Sequence, residues 1–236
     1  MGKVLHQPTI GTYSWPYSPY RLLDSELIAP EQNRGKAEYI VPAEKSSYGG
    51  GMTNDELYVS VDVETSGPIP GEYSLLSVGA CLVDEPATSI YFELKPDSVA
   101  HDPEAVAVTG LDLDRLECEG IAPKEAMSMF EQWLKASCKS GHTIIFLGLN
   151  APFDWSFINY YFHKYLGTNP FGFTAIDMKA YFMGATGCSW KETKSSQMVD
   201  RLKPRSAPTH NALDDARFQA ELFTLMLEDR AKRRHD

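Results

Sequence analysis

The sequence predicts an α/β fold: a mixed sheet that opens with an antiparallel three-strand meander, continues in β-α units and carries helices on both faces. Three observations lead there. Runs of strand composition at Leu57 to Val63, Leu75 to Val83 and Ser89 to Lys95 follow one another with short turn-rich stretches between them, the pattern of hairpin-linked antiparallel strands. After them, apolar segments alternate between helical spacing and short continuous runs, as buried strands crossing to helices do. And 236 residues that are 43% hydrophobic and 11% aromatic suffice for one substantial core plus an extension, which excludes a disordered or fibrous chain.

In chain order, residues 1–52 carry prolines at 8, 16, 19, 30 and 42 and tyrosines at 13, 17, 20, 39 and 48, and they close on Ser46-Ser47-Tyr48-Gly49-Gly50-Gly51. Without strand or helix periodicity, they read as an N-terminal extension or linker. The aromatics of Tyr13-Ser14-Trp15-Pro16-Tyr17 exceed what free disorder carries, so contact with the domain or with another chain, a homodimer included, is expected of this arm. The domain is expected over residues 53–229. Its first strand run is followed by the turn cluster Gly67-Pro68-Ile69-Pro70-Gly71 and then by the other two. Pro123 to Cys138 sets Ala126, Met129, Phe130, Trp133 and Leu134 at helical spacing. Thr143 to Leu149 is a buried-strand run, and Pro152 to Leu166 is again helical through Phe153, Phe157, Tyr160 and Tyr161. A short strand near Phe173 to Ile176 precedes a helix from Asp177, and a last helix is expected from about Ala212 to Leu227. Residues 230–236, with four basic groups and one acidic, make a basic C-terminal tail that complements a helix dipole.

Charge narrows the function classes. With 22 Lys+Arg against 32 Asp+Glu the net charge is -10, and residues 53–229 hold 13 basic against 26 acidic groups. Such a chain does not coat nucleic acid or an anionic membrane by bulk attraction, so any polyanion must be gripped locally. Cys81, Cys118, Cys138 and Cys188 are too scattered for a metal clip and too few for a disulfide scaffold, which predicts reduced thiols in a cytoplasmic protein. The start lacks a secretory apolar stretch, and the Thr143 to Leu149 run is far short of the roughly 20 residues that span a bilayer. No membrane association is expected.

Four carboxylates stand out. In Val59-Ser60-Val61-Asp62-Val63-Glu64-Thr65, Asp62 and Glu64 lie two apart in a strand and share one face, with Val61 and Val63 on the other. Such a pair is either an edge strand facing water or a pair that needs a cation between its charges. Asn150-Ala151-Pro152-Phe153-Asp154 follows the Thr143 to Leu149 strand and sets Asp154 in a first helical turn at a strand's carboxyl end, the rim where ligands collect in α/β sheets. In Thr209-His210-Asn211-Ala212-Leu213-Asp214-Asp215-Ala216, a helical wheel turns Asp215 inward beside Leu222 and Met226 and leaves Asp214 beside Glu221 in solvent. His210 belongs to the loop before that helix. Hard oxygen ligands of this kind select Mg²⁺ or Mn²⁺. Two such ions about 3.5–4 Å apart can align a water at a phosphodiester and stabilise the leaving oxygen, and an imidazole titrating near neutrality can take the water's proton.

Asp62-Val63-Glu64-Thr65, Asn150-Ala151-Pro152-Phe153-Asp154 and His210-Asn211-Ala212-Leu213-Asp214-Asp215 resemble the three successive motifs of the DEDDh branch of the DnaQ-like 3′-to-5′ exonucleases, over about Leu57 to Leu227. Leu149 departs from the pattern, since many relatives carry His there. The resemblance implies an RNase H-like fold, with Asp62, Glu64, Asp154 and Asp215 as ligands of two divalent ions and His210 as general base. It further implies hydrolysis at the 3′ end of single-stranded DNA or RNA with release of nucleoside 5′-monophosphates. An oligoribonuclease-like enzyme for very short oligomers and a noncatalytic nucleic-acid-binding module of the same fold are the alternatives. By the same analogy the backbone around Thr65 to Gly67 meets the 3′-terminal nucleotide. Phe153 is a candidate for stacking a terminal base. Lys191, Lys194, Arg201, Lys203 and Arg205 against Glu192 and Asp200 give a local +3 before His210, and Lys203 and Arg205 are candidate phosphate contacts.

Overall fold

The computed structural model describes residues 37–40 and 55–233. The expectations for the rest of residues 1–52, the Gly-rich linker and the aromatic contact included, lie outside the described residues, as does the end of the basic tail at 234–236.

Six strands form one sheet: β1 (Ala37–Ile40), β2 (Glu56–Thr65), β3 (Leu75–Leu82), β4 (Ser89–Glu93), β5 (Thr143–Gly148) and β6 (Ala175–Asp177), in the spatial order β1-β4-β3-β2-β5-β6. The expected meander is β2, β3 and β4, antiparallel throughout, while β5 and β6 add to β2 in parallel. β1 pairs antiparallel with β4, Ala37 opposite Phe92; a strand inside the segment read as extension was not expected. The helices are α1 (Pro103–Thr109), α2 (Leu113–Glu119), α3 (Pro123–Ser137), α4 (Ala151–Leu166), α5 (Met178–Thr186), α6 (Ser195–Leu202) and α7 (Ala212–Arg233). α7 outruns its expected end and takes in Arg230 to Arg233 of the tail. No helix among the described residues is long and apolar enough to cross a membrane.

Strand alternation divides the core. Val59, Val61 and Val63 of β2 are buried on one face with Val78, Ile90, Phe92 and Phe146, where Phe130 of α3 and Phe157, Ile158 and Phe162 of α4 pack. Burial of each such side chain contributes roughly 1.5–3 kcal/mol. On the other face Cys81 and Leu147 lie against Met178 and Phe182 of α5, Met198 of α6 and Ala216, Phe218, Phe223 and Met226 of α7. Ser60, Asp62 and Glu64 belong to this second face by the same alternation. Because β2, β5 and β6 run parallel, their carboxyl ends share one rim, and the residues that follow them meet there.

Candidate active site

β2 outruns its pairing with β5, which ends with Ser60 opposite Leu147. Beyond that point the Val63 N–H is taken by Asp154 Oδ1 at 3.2 Å, so the first turn of α4 docks on the end of β2. α4 is entered through Asn150, whose φ of 72° turns the chain sharply off β5, a left-handed conformation that Asn tolerates better than most residues. Asp177 holds the same corner from β6: its carboxylate accepts from Ala151 N–H at 2.9 Å and caps α5 through Ala180 N–H at 2.7 Å. Asp154 is thereby buried at the rim.

α7 approaches from the opposite side of β2. Its first residue lies over Gly79, the β3 residue paired with Asp62, and a Cβ at Gly79 would stand 2.1 Å from the Ala212 carbonyl carbon. Only a residue without a side chain lets the start of α7 settle this close to the sheet. Asp215, one turn in, is buried and accepts from Thr209 N–H at 2.6 Å and His210 N–H at 3.1 Å. Those bonds fold the preceding loop back over the helix start, with His210 at φ 61° and exposed. A ring nitrogen of His210 and carboxylate oxygens of Glu64 and Asp215 lie within 4.8 Å of one another. A further turn along, the Gln219 amide spans the site: its Nε2 donates to Asp62 Oδ1 at 2.6 Å and its Oε1 accepts from Leu149 N–H at 2.9 Å. Asp62, Leu149, Ser195, Pro208, Asp215, Phe218 and Gln219 line an open cleft of about 100 Å³.

Crowding of acids sets the electrostatics. Burial first, then the charges of Asp154, Glu64 and Asp215, push the Asp62 carboxyl well above its ordinary range, against the Gln219 hydrogen bond. Burial lifts Asp154 to about 8, opposed by its backbone hydrogen bonds, and burial with the Asp215 charge lifts Glu64 to about 7. Each shift says that like charges held out of water resist ionisation.

The structure thus brings together Asp62, Glu64, Asp154, Asp215 and His210, the five residues singled out from sequence, from β2, α4, α7 and the loop before α7. Thr65 is buried at the end of β2 and its hydroxyl donates to Gly67 O at 2.9 Å. Phe153 is half-buried and packs on Phe157 with ring centroids 5.4 Å apart. Lys203 and Arg205 are not brought to the cavity. Lys203 ends α6 and pairs with Asp200 at 3.7 Å, and Arg205 is held through its N–H by Glu221 of α7. Sequence reasoning missed Gln219, Gly79 and Ser195. Gln219 was within reach, being four residues after Asp215 on the same helix flank; Gly79 and Ser195 gave no signal without the strand register and the path of α6.

The family model RNase_T, described as Exonuclease, matches residues 59–223. The chain is 51% identical over 174 residues, 74% of this chain and 93% of the relative, to the 3′-5′ DNA exonuclease Cap18 of Escherichia coli. Among solved structures, the nuclease domain of 3′hExo, a DEDDh family member bound to rAMP, superimposes with a TM-score of 0.62 at 15% identity, covering 76% of this chain and 95% of that one. E. coli Exonuclease I in complex with a dT13 oligonucleotide gives 0.58 at 18% identity, over 77% of this chain and 43% of that one. At such identities the likeness establishes the fold, the RNase H-like α/β architecture expected from sequence.

Proposed function

Since the chain belongs to the RNase_T exonuclease family and is a 3′-to-5′ exonuclease, we propose that it acts on single-stranded DNA and releases nucleoside 5′-monophosphates, with two Mg²⁺ or Mn²⁺ ions at the carboxylate cluster and His210 as general base. The observation that carries this reading is the convergence of Asp62, Glu64, Asp154, Asp215 and His210 on one rim from separate elements. DNA is favoured because the relative that shares half its residues with this chain is a DNA exonuclease by name. Against the noncatalytic alternative stands the 51% identity to a relative that is an exonuclease by name.

The donor set fits divalent cations. All four acids offer hard oxygens, and Asp62, Glu64 and Asp154 are raised by burial first and by the charges of neighbouring acids second, a cost of ionisation that a cation relieves. Asp62, Glu64, Asp154 and Asp215 would hold the ions, which supply charge to polarise a phosphodiester and acidify a water. The chain's own groups do the remaining work. Gln219 and Val63 N–H fix the rotamers of Asp62 and Asp154. The exposed ring of His210, near Glu64 and Asp215, accepts the proton of the attacking water at a ring nitrogen and passes it to solvent. Thr65 and Phe153, at the ends of the two elements that bear Glu64 and Asp154, are proposed to meet the terminal nucleotide. Free thiols at Cys81, Cys118, Cys138 and Cys188 support a cytoplasmic setting.

The test is digestion of a 5′-labelled single-stranded DNA and its RNA counterpart, with Mg²⁺ and with chelator. The DNA should shorten stepwise from its 3′ end only with metal, and His210→Ala should slow this by about 10²–10⁴-fold while metal still binds. Internal cleavage, or full activity in chelator, contradicts the reading.

A further inference from the structure

Trp190 is an unusual surface residue. It opens the 3-10 turn Trp190–Thr193, which leads into α6, and it is 54% exposed. The turn is pinned at both ends. Ser189 and Glu192 form a reciprocal cap, Ser189 N–H donating to the Glu192 carboxylate at 2.9 Å, and the fully buried Thr193 donates its hydroxyl to Trp190 O at 2.7 Å. Lys179, in the first turn of α5, sets its ammonium 4.5 Å from the centre of the indole ring. A large aromatic ring is therefore presented to solvent on a fixed turn with a cation against it.

Its surroundings are cationic in an otherwise acidic domain. Lys191 and Lys194 are exposed, and Lys179, Lys191 and Lys194 form no ion pair among the described residues. The nearest acid in the chain, Glu192, is folded back on Ser189. This surface adjoins the catalytic rim: Ser195, directly after Lys194, lines the cavity with Asp62 and Asp215, and α5 is capped by Asp177, which also holds the start of α4. Ser195 is five positions after Trp190, a span of at most about 17 Å. At about 3.4 Å per stacked nucleotide, that places Trp190 within roughly five nucleotides of Ser195.

We propose that Trp190 is a stacking platform for a base upstream of the scissile 3′ end, with Lys191 and Lys194 as contacts to the adjoining phosphates, so that single-stranded DNA leaves the active site over the Trp190–Ser195 segment. Aromatic stacking accepts any base, and lysines beside it follow the backbone, the combination that grips single strands without reading sequence. This inference rests on the nuclease reading of the carboxylate cluster and extends it from the reacting end to the strand behind it.

The experiment is a titration of fluorescein-labelled dT15 into the His210→Ala protein with Mg²⁺, repeated after adding Trp190→Ala, Trp190→Phe or Lys194→Glu. Trp190→Ala should weaken binding by about 5- to 100-fold, Trp190→Phe should restore most of it, and Lys194→Glu should lower the slope of log affinity against log salt by at least about 0.7. With His210 intact, Trp190→Ala should reduce kcat/KM for dT15 relative to that for a dinucleotide. If the wild-type protein leaves dT15 uncut, the reading of the catalytic site fails and this inference with it. If it cuts dT15, and Trp190→Ala binds dT15 as tightly as its parent, the inference alone is overturned.

Discussion

Asp214 and Asp215 are chain neighbours with opposite surroundings: Asp214 is exposed and pairs loosely with Arg217 at 3.8 Å, whereas Asp215 is buried and holds two backbone N–H groups of the His210 loop. The hydrophobic wheel of the last helix separated the two from sequence, because their 100° offset turns only one inward. Asp215→Ala is expected to abolish turnover, and Asp214→Ala to leave kcat/KM within about twofold, as for ordinary surface substitutions; steady-state kinetics on single-stranded DNA decide it. Gln219, 3% exposed, carries no charge, so a search for charged chemistry passed over it although its place one turn after Asp215 was readable from the helical spacing. Replacing it by leucine strips a hydrogen bond from Asp62 and leaves the Leu149 N–H without its acceptor. Gln219→Leu should weaken Mn²⁺ binding by about 10- to 100-fold and cost roughly 1–3 kcal/mol of stability, read by calorimetry and urea unfolding.

At the scale of elements, the site exists because α7 lies against the β2–β3 pair, and Gly79 is what admits it. Gly79→Ala should destabilise the domain by about 1–3 kcal/mol, as overpacking does, and lower the Tm by several degrees, with loss of activity as Asp215 and His210 move off Asp62. The elements that carry the chemistry were legible because each has a strong apolar pattern: β2 and β3, β5 with its run from Thr143, α4 with its aromatics, α7 with its inward stripe. Those missed are short. α1 and α2 have seven residues each and bury at most Leu116, so hydrophobic periodicity had little to report, although Asp102-Pro103-Glu104 and Gly110 carried start and stop signals for α1. α6 does turn Met198, Val199 and Leu202 inward, but its eight residues lie in the basic segment and were read for charge, not for period. The position of α6 decides why Ser195, and not Lys203 or Arg205, lines the cavity. A count of basic residues along the chain finds the segment but not which end of it meets the rim.

The whole molecule is an acidic domain that concentrates four carboxylates at one point. Without metal, Asp154 keeps its proton up to about 8 and Glu64 up to about 7, against ordinary values of 3.8 and 4.5. Between those limits the folded protein binds more protons than the unfolded chain, so the contribution is complete below about pH 4 and is lost as pH rises to about 8. In chelator, the Tm should therefore fall from pH 5.5 to 8.5, the fall should be shallower in Asp154→Asn, and added Mn²⁺ should reverse it. The most direct test of the central claim, that these acids form a site for divalent ions, is a calorimetric titration of Mn²⁺ into the metal-free protein at pH 8, beside Asp62→Asn and Asp154→Asn. Two ions bound per chain by the wild-type protein, and lost or greatly weakened in both variants, is the predicted result; no binding by the wild type, or binding unchanged in the variants, would contradict it.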